Sequence, residues 1–167
     1  MPPKVLVPIA DGTEEIEAVC IIDVLRRAEA DVTVAAVGDQ LQITASRGVK
    51  VVADVMLEQC RDETYDLIVL PGGIPGADNL RASKVLQELL AQQEKQDRWY
   101  AAICAAPAVV LQPQGLLAGK RATSHPGFME KLDAALAQEN RVVVDGRCVT
   151  SQGPGTALEF ALKLVEL

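Results

Sequence analysis

The sequence is poor in the residues that build metal centres and disulfide frameworks. It contains one histidine and four cysteines, and Cys20, Cys60, Cys104 and Cys148 are far apart, with no CxxC pair. This spacing predicts neither a zinc site nor a set of disulfide bonds. We therefore expect reduced thiols and no metal ion or other cofactor.

Basic residues are fewer than acidic ones and form no dense cluster. The chain has 16 Lys and Arg against 23 Asp and Glu, and its formal net charge is −7 at pH 7. This balance argues against a nucleic acid or an anionic membrane as a partner. No stretch approaches the roughly 18 consecutive apolar residues of a membrane span, and the first four residues lead into a strand rather than a signal peptide. We expect a cytoplasmic protein.

Glycine-rich nucleotide motifs are also missing. A buried strand at 66–70 runs into Pro71, Gly72 and Gly73, and the glycine pair lets backbone amides approach a charged group at the carboxyl end of the strand. Neither the GxGxxG pattern nor a P-loop lysine is present, so we exclude a nucleotide site.

The apolar runs predict an α/β fold. With 167 residues, 49% of them hydrophobic, the chain suits a single domain over residues 1–167. Strands at 4–10, 31–37 and 66–70 alternate with helical segments, which predicts a mostly parallel sheet. Two short strands are expected at 41–44 and 48–53. The segment 141–150 is expected to be the one antiparallel hairpin, because it turns at an Asp-Gly pair.

Four helices are expected besides the one that follows Cys104. Helix A begins at a capping box formed by Asp11 and Glu14, and further helices are predicted at 82–96, 128–137 and 156–166. In the last helix the inward side chains are expected to be those of Leu158, Ala161, Leu162 and Val165.

Cys104 lies where an apolar strand passes directly into an apolar helix. Its neighbours Ala102, Ala105 and Ala106 are small, as a crowded strand-to-helix turn requires, which suggests a nucleophile elbow. The amides at the start of the helix would then face the sulfur and lower the pKa of the thiol. The alternative is an unpaired cysteine buried in the core.

Glu17 falls on the apolar stripe of helix A, together with Ile21, Val24 and Ala28. One interpretation is a first-turn glutamate that bends out to water. The other is a carboxyl held among apolar groups, which keeps its proton and donates a hydrogen bond to a thiolate. The opposite face of helix A is too apolar for a solvated surface, so it is a candidate dimer contact.

Two further side chains have both a structural and a chemical interpretation. His125 precedes a proline and is either structural or a base and proton carrier for a cysteine site. Arg47 lies in a polar turn and is either solvated or an anion-attracting group near the site. Cys20, Cys60 and Cys148 are expected to be structural.

Four motifs together resemble the ThiJ/PfpI family, and specifically its deglycase branch. They are DGTEEIE at 11–17, LPGGIPG at 70–76, AAICAAP at 101–107 and TSQGPGT at 150–156, so the resemblance covers essentially the whole chain. It implies a flavodoxin-like sheet sandwiched by helices, related to class I glutamine amidotransferases, and a homodimer that pairs through helix A.

The resemblance also implies roles for individual residues. Cys104 corresponds to the nucleophile, Glu17 to its protonated partner, and His125 to a residue near the cysteine. The amides of Gly73 and Ala105 correspond to those that bind an oxyanion or a sulfinate.

Arg27 and Arg47 match arginines near the family's dimer contact, whereas Gln152 stands where animal members have arginine. Ala105 replaces the histidine of the protease-like branch, so we do not expect a peptidase dyad. Many relatives continue past Leu167 into another helix, and without it we expect an apolar surface near the site to be exposed.

These residues favour a cysteine-dependent stress-response enzyme. Its substrates would be methylglyoxal, glyoxal or the adducts they form on proteins, processed as in a deglycase or glyoxalase without a cofactor. The alternative is a redox-sensing chaperone in which Cys104 is oxidised to a sulfinate and does little catalysis. A purely structural or binding domain is the third hypothesis.

Overall fold

The computed structural model describes residues 1–167 and has helices on both faces of a seven-stranded sheet. The strands are β1 (Lys4–Ile9), β2 (Asp31–Ala36), β3 (Gln42–Thr44), β4 (Lys50–Val52), β5 (Val55–Met56), β6 (Leu67–Leu70), β7 (Trp99–Ile103), β8 (Val142–Asp145) and β9 (Cys148–Ser151). The α-helices are α1 (Glu15–Arg27), α2 (Gly76–Ala82), α3 (Lys84–Lys95) and α4 (Ala157–Val165). None of them is both long and apolar enough to cross a lipid bilayer.

The strand order of the large sheet is β5-β2-β1-β6-β7-β9-β8. All neighbouring pairs are parallel except β8 and β9, which form the predicted antiparallel hairpin with Gly146 and Arg147 in the turn, one residue beyond the predicted Asp-Gly position. The predicted flavodoxin-like α/β class is therefore confirmed. Because the strands are parallel, their carboxyl ends meet along one edge, where ligand sites form in such sheets.

The structure has a second antiparallel pair, although we expected only one. Strands β3 and β4 pair with each other as a separate two-stranded sheet, with Ile43 opposite Val51. We predicted both strands but not their pairing, because three-residue strands carry too little periodicity to specify a partner. The pair lies against the segment before α1, since Gly12 N–H donates to the Thr44 carbonyl at 2.9 Å.

Alternating side chains of the sheet build an apolar core on each face. Along β1, Leu6 packs into one core while Val5 and Val7 pack into the other, as the two-residue repeat of a strand requires. One core is completed by α2 and α3, and the other by Ile21 of α1 and Phe160 of α4. The helices thus cover both faces, and the edge at the strand carboxyl ends stays free for a site.

Helix α4 buries a different face from the predicted one. Leu158, Leu162 and Val165 are 58%, 50% and 44% exposed, although all three were expected to face inward. The buried side chains are those of Ala157, Phe160, Ala161 and Leu164. This helix has two apolar stripes, and the stripe that contains the large ring of Phe160 fills the core. The other stripe remains as an exposed apolar surface.

Helix α1 begins at Glu15, so the predicted capping box of Asp11 and Glu14 is wrong. Glu14 caps the helix, because its carboxylate accepts a hydrogen bond from Glu17 N–H at 2.8 Å. Asp11 instead accepts from the Thr44 amide at 2.9 Å and fastens the β3–β4 hairpin. A long-range partner for Asp11 could not be identified from a local spacing rule.

Two other helical predictions need correction, whereas the helix predicted at 82–96 is present as α3, which Ser83 caps by accepting from Leu86 N–H. The short helix α2 that precedes it was not predicted. The segment predicted as a helix at 128–137 holds only the 3₁₀ turn Pro126–Lys131, after which Leu132 is extended. The helix after Cys104 contains a π-helical turn, Pro107–Leu111.

Candidate active site

Cys104 lies directly beyond the carboxyl end of β7, in a strained backbone conformation. Its φ is +66°, in the left-handed region that non-glycine residues rarely adopt. Its N–H donates to the Ser151 carbonyl at 3.0 Å, and its own carbonyl accepts from His125 N–H at 2.7 Å. Bonds from two neighbouring segments therefore hold the turn, as at a nucleophile elbow, and the residue is only 9% exposed.

Glu17 reaches the cysteine from the first turn of α1 and is fully buried. Its Oε1 accepts a hydrogen bond from Gly72 N–H at 2.9 Å, whereas its buried Oε2 has no such partner. The carboxyl interacts with the Cys104 thiol. Burial raises the pKa of Glu17 to about 7, and the Gly72 and Cys104 donors oppose this only in part. Glu17 therefore faces the core and does not bend out to water. Because its pKa is about 7, the carboxyl can both hold and release a proton near neutral pH.

Two backbone amides act on the Cys104 sulfur. The N–H groups of Gly73 and Ala105 would stabilise a thiolate there, and both therefore act to lower the pKa of the thiol. They come from two strand ends, because Gly73 follows β6 and Ala105 follows β7. Such paired amides are suited to an oxyanion.

Burial has the largest effect on the pKa of the Cys104 thiol, and this effect is opposite to that of the two amides. Burial and the neighbouring Glu17 raise its pKa to about 12, contrary to the lowered pKa expected from the helix start. The reason is that the thiol is enclosed and faces a second acidic group. The pair therefore holds one negative charge more easily than two, and a thiolate requires Glu17 to keep its proton.

The glycine pair is needed for close packing around these groups. A Cβ on Gly72 would lie 2.6 Å from the Cβ of Cys104, and one on Gly73 would lie 2.5 Å from both Glu14 N and Gly12 O. Gly73 also has a φ of +91°. Any side chain here would displace the loop that brings an amide to the sulfur.

His125 is near Cys104 through its backbone rather than its ring. The residue is exposed, and its Nδ1 accepts from Gly127 N–H at 3.0 Å, as the cap of a 3₁₀ turn. No hydrogen bond joins the ring to the thiol. The structure thus places Glu17, Gly73 and Ala105 around Cys104, and leaves the His125 ring beside this group.

The two arginines singled out from the sequence differ in their contacts. Arg27 is exposed and pairs with Asp23 at 2.9 Å. The amide of Arg47 donates to the carboxylate of Glu15 at 2.8 Å, while its side chain forms no ion pair. No group of three or more His, Cys, Asp or Glu side chains has the arrangement of a metal site.

Sequence reasoning missed Glu15, which is only 8% exposed. Burial acts to raise the pKa of Glu15, but hydrogen bonds from its own amide, Ser46 Oγ and the amides of Arg47 and Val49 lower it below the usual value. Glu15 thereby binds the β3–β4 turn to the start of α1. Its position among first-turn acids resembles an ordinary helix-dipole preference, so no local signal distinguished it.

Sequence and structure comparisons show the family to which the chain is similar. The chain matches the DJ-1/PfpI family over residues 3–167. It is 55% identical over 164 residues to Protein DJ-1 homolog B of Arabidopsis thaliana, which is 98% of this chain but 37% of that protein. The chain thus spans less than half the length of this relative. Glutathione-independent glyoxalase DJR-1.2 of Caenorhabditis elegans is 38% identical, over 97% of this chain and 86% of that protein.

Among solved structures, the oxidised form of Toxoplasma gondii DJ-1 superposes with a TM-score of 0.97. Its sequence is 52% identical, and the match covers 98% of this chain and 89% of that one. The similarity extends over both faces of the sheet and the edge that carries Cys104. With a family match across nearly all of its residues, the chain belongs to the DJ-1/PfpI family.

Proposed function

We propose that this protein is a cofactor-independent enzyme that converts α-oxoaldehydes such as methylglyoxal and glyoxal, or their adducts on proteins, to hydroxy acids. The observation that carries the proposal is the pairing of Cys104 with the fully buried Glu17, whose pKa is raised to about 7. The relative in C. elegans that is named a glutathione-independent glyoxalase supports the same class of reaction.

The first step of the proposed reaction is addition of the cysteine to the aldehyde. The Cys104 sulfur forms a bond to the aldehyde carbon, and the thiol proton ends on the aldehyde oxygen, giving a hemithioacetal. The amides of Gly73 and Ala105, which act to lower the pKa of the Cys104 thiol, would stabilise the oxyanion that develops nearby. The thiol need not be ionised beforehand if its proton leaves as the bond forms.

The second step transfers a proton between neighbouring carbons. Glu17 as a carboxylate removes the proton from the former aldehyde carbon, and the electron pair forms an enediol with the adjacent carbonyl. A proton returned to the second carbon gives a thioester. The first carbon is oxidised by two electrons and the second is reduced by two, so no outside redox partner is needed. Water hydrolyses the thioester, releasing lactate from methylglyoxal or glycolate from glyoxal and restoring the thiol.

A single experiment tests this function directly. The purified protein is incubated in D₂O with methylglyoxal and without glutathione, and lactate is analysed by NMR. We expect lactate that carries deuterium at C2, because the proton that Glu17 holds exchanges with solvent. A failure to form lactate would contradict the proposed function. Lactate without deuterium would contradict exchange of the transferred proton with solvent.

A second candidate function is oxidation sensing coupled to binding of unfolded proteins. A sulfinate on Cys104 would be stabilised by the same two amides and by a protonated Glu17. Its formation consumes two molecules of hydrogen peroxide for each thiol and releases two molecules of water. The site is therefore complementary to a negatively charged oxygen whether it arises in turnover or by oxidation.

We expect mild peroxide to oxidise Cys104 to the sulfinate before Cys60 and Cys148. Those two thiols are each 2% exposed, against 9% for Cys104, and neither has a pair of backbone amides that acts on its sulfur. Peptide mass spectrometry of each cysteine over time provides the measurement. Equal oxidation of all the thiols would count against sensing at Cys104.

We also propose a homodimer that pairs through α1. Ile16 and Val19 on this helix are 57% and 50% exposed, and Val52 on the adjacent hairpin is 64% exposed. Val19 and Val52 line one groove, so these side chains form a shared apolar patch. In sedimentation velocity, Val19→Asp is expected to be monomeric where the unmodified protein is dimeric. A Val19→Asp protein that remains dimeric would exclude this face as the contact.

A further inference from the structure

Gln152 connects three segments of the chain at the edge of the site. It directly follows β9, and its Nε2 donates to Thr123 Oγ1 at 3.3 Å and to the Glu139 carbonyl at 2.9 Å. A primary amide nitrogen has two N–H donors, so one side chain can satisfy both acceptors. Gln152 thus ties the end of β9 to the segment that leads into His125 and to the segment that leads into β8.

The Thr123 segment is the one that carries His125. Thr123 is fully buried, and its N–H donates to the Thr150 hydroxyl of β9 at 3.0 Å. Two residues later, His125 N–H donates to the Cys104 carbonyl at 2.7 Å. The backbone of His125 is therefore placed by bonds to both β9 and the cysteine turn, and the Gln152 side chain adds to these bonds.

The His125 ring lies next to the residue that follows Gln152. A Cβ built on Gly153 would be 3.6 Å from His125 Cδ2, so the ring packs against the backbone of Gly153. Because Nδ1 accepts a hydrogen bond from Gly127, the neutral ring carries its proton on Nε2. The ring is consequently held in one tautomer, with Nε2–H as its donor.

We propose that Gln152 is a positioning residue that holds the Thr123–His125 segment against the end of β9, so that the Nε2–H of His125 can donate to substrate oxygen during turnover at Cys104. This inference rests on the proposed function. The two acceptors, Thr123 Oγ1 and the Glu139 carbonyl, require two donors, which glutamine provides and glutamate does not. Without the Gln152 side chain, the Thr123–His125 segment keeps its backbone hydrogen bonds. It loses the hydrogen bond that joins it to the end of β9, and the link through Gln152 to the segment before β8 is lost as well.

Gln152→Ala and Gln152→Met test the role, the second keeping most of the side-chain length without any donor. We expect the His125 amide to exchange with solvent at least about tenfold faster in both, as loss of about one hydrogen bond predicts. We also expect kcat for methylglyoxal to fall at least about tenfold. This loss is smaller than the full rate contribution of a positioned proton-transfer group, because the His125 ring remains present. KM should stay within about twofold of the value for the unmodified protein. The unchanged KM separates positioning for chemistry from a general loss of structure.

Gln138→Ala is the matched control, because its side-chain amide donates to the Leu136 carbonyl and forms no hydrogen bond with Thr123. It should leave the His125 exchange rate and kcat unchanged. Unchanged exchange in both Gln152 variants would overturn the proposal, as would faster exchange with an unchanged kcat. If the unmodified protein has no turnover, the proposed function and the chemical role of His125 both fail, while the exchange rates still decide whether Gln152 holds the segment.

Discussion

Cys104→Ser is expected to reduce turnover of methylglyoxal by at least about a thousandfold, because a hydroxyl is a far weaker nucleophile than a thiol when no strong base activates it. The only acidic partner beside it is Glu17, whose carboxyl is partly protonated near neutral pH because its pKa is about 7. A serine alkoxide is therefore inaccessible in this site. Initial rates of lactate formation measure the loss.

The fold should survive this substitution. The strained φ of +66° at Cys104 is held by backbone bonds to Ser151 and His125, and serine retains both. Circular dichroism in the near ultraviolet checks the folded state, and Cys20→Ser is the control for the chemical change of thiol to hydroxyl at a half-buried position. A folded Cys104→Ser protein with undiminished turnover would show that the reaction does not pass through this sulfur.

Glu17→Gln is expected to lower kcat for methylglyoxal by about a hundredfold or more, the size of a general acid–base contribution. Glutamine preserves the volume, and its carbonyl oxygen can still accept from Gly72 N–H, a bond that measures 2.9 Å in the unmodified protein. It cannot remove a proton from carbon. Glu130→Gln, on the exposed surface, is the matched control, and equal rates for the two variants would contradict the assignment of the proton transfer to Glu17.

The same variant should change the pH dependence of stability. The pKa of Glu17 rises from 4.5 to about 7 on folding, so between these values the folded protein binds more protons than the unfolded chain. Its contribution is fully present below pH 4.5 and is lost as the pH rises through 7. Relative to Glu17→Gln, the unmodified protein should lose up to about 3 kcal/mol of its free energy of unfolding between pH 4.5 and pH 8.

Urea denaturation at a series of pH values measures this difference. The unmodified protein and the glutamine variant should diverge as the pH rises, with the variant the more stable of the two at pH 8. Parallel curves would mean that the Glu17 carboxyl has an ordinary pKa, and its proposed ability to take up and return a proton near pH 7 would lose its physical basis.

Much of the fold could be predicted because the relevant signals are local. Runs such as those at 4–10 and 66–70 are apolar throughout, which is typical of strands covered on both faces. The Asp145-Gly146 pair indicates its own hairpin, and the motifs around Glu17, Gly73 and Cys104 occur in short, ordered segments. Burial of Glu17 followed from helical periodicity, because a side chain on the apolar stripe of a core helix has little access to water.

Other features depend on which segments meet, and local patterns could not specify them. Helix α4 has two apolar stripes, and only its packing against α1 and the sheet decides that Phe160 is buried and Leu158 is exposed. Asp11 and Glu15 both bind the β3–β4 hairpin about 30 residues away, with partners Thr44 and Ser46. Such pairings are set by the assembled fold.

The properties of the site can be separated in the same way, into those that local sequence patterns predict and those that depend on the assembled fold. The residue types and their order predicted Cys104 at a strand end and Glu17 on the apolar face of a helix, and the family resemblance added the amides of Gly73 and Ala105 as candidates. The direction of the Cys104 pKa shift was not predictable, since it depends on how completely the thiol is enclosed and on its distance from a carboxyl that is far away in sequence. Burial and contacts between distant residues are properties of the folded chain, and they decide which of the two acids holds the proton.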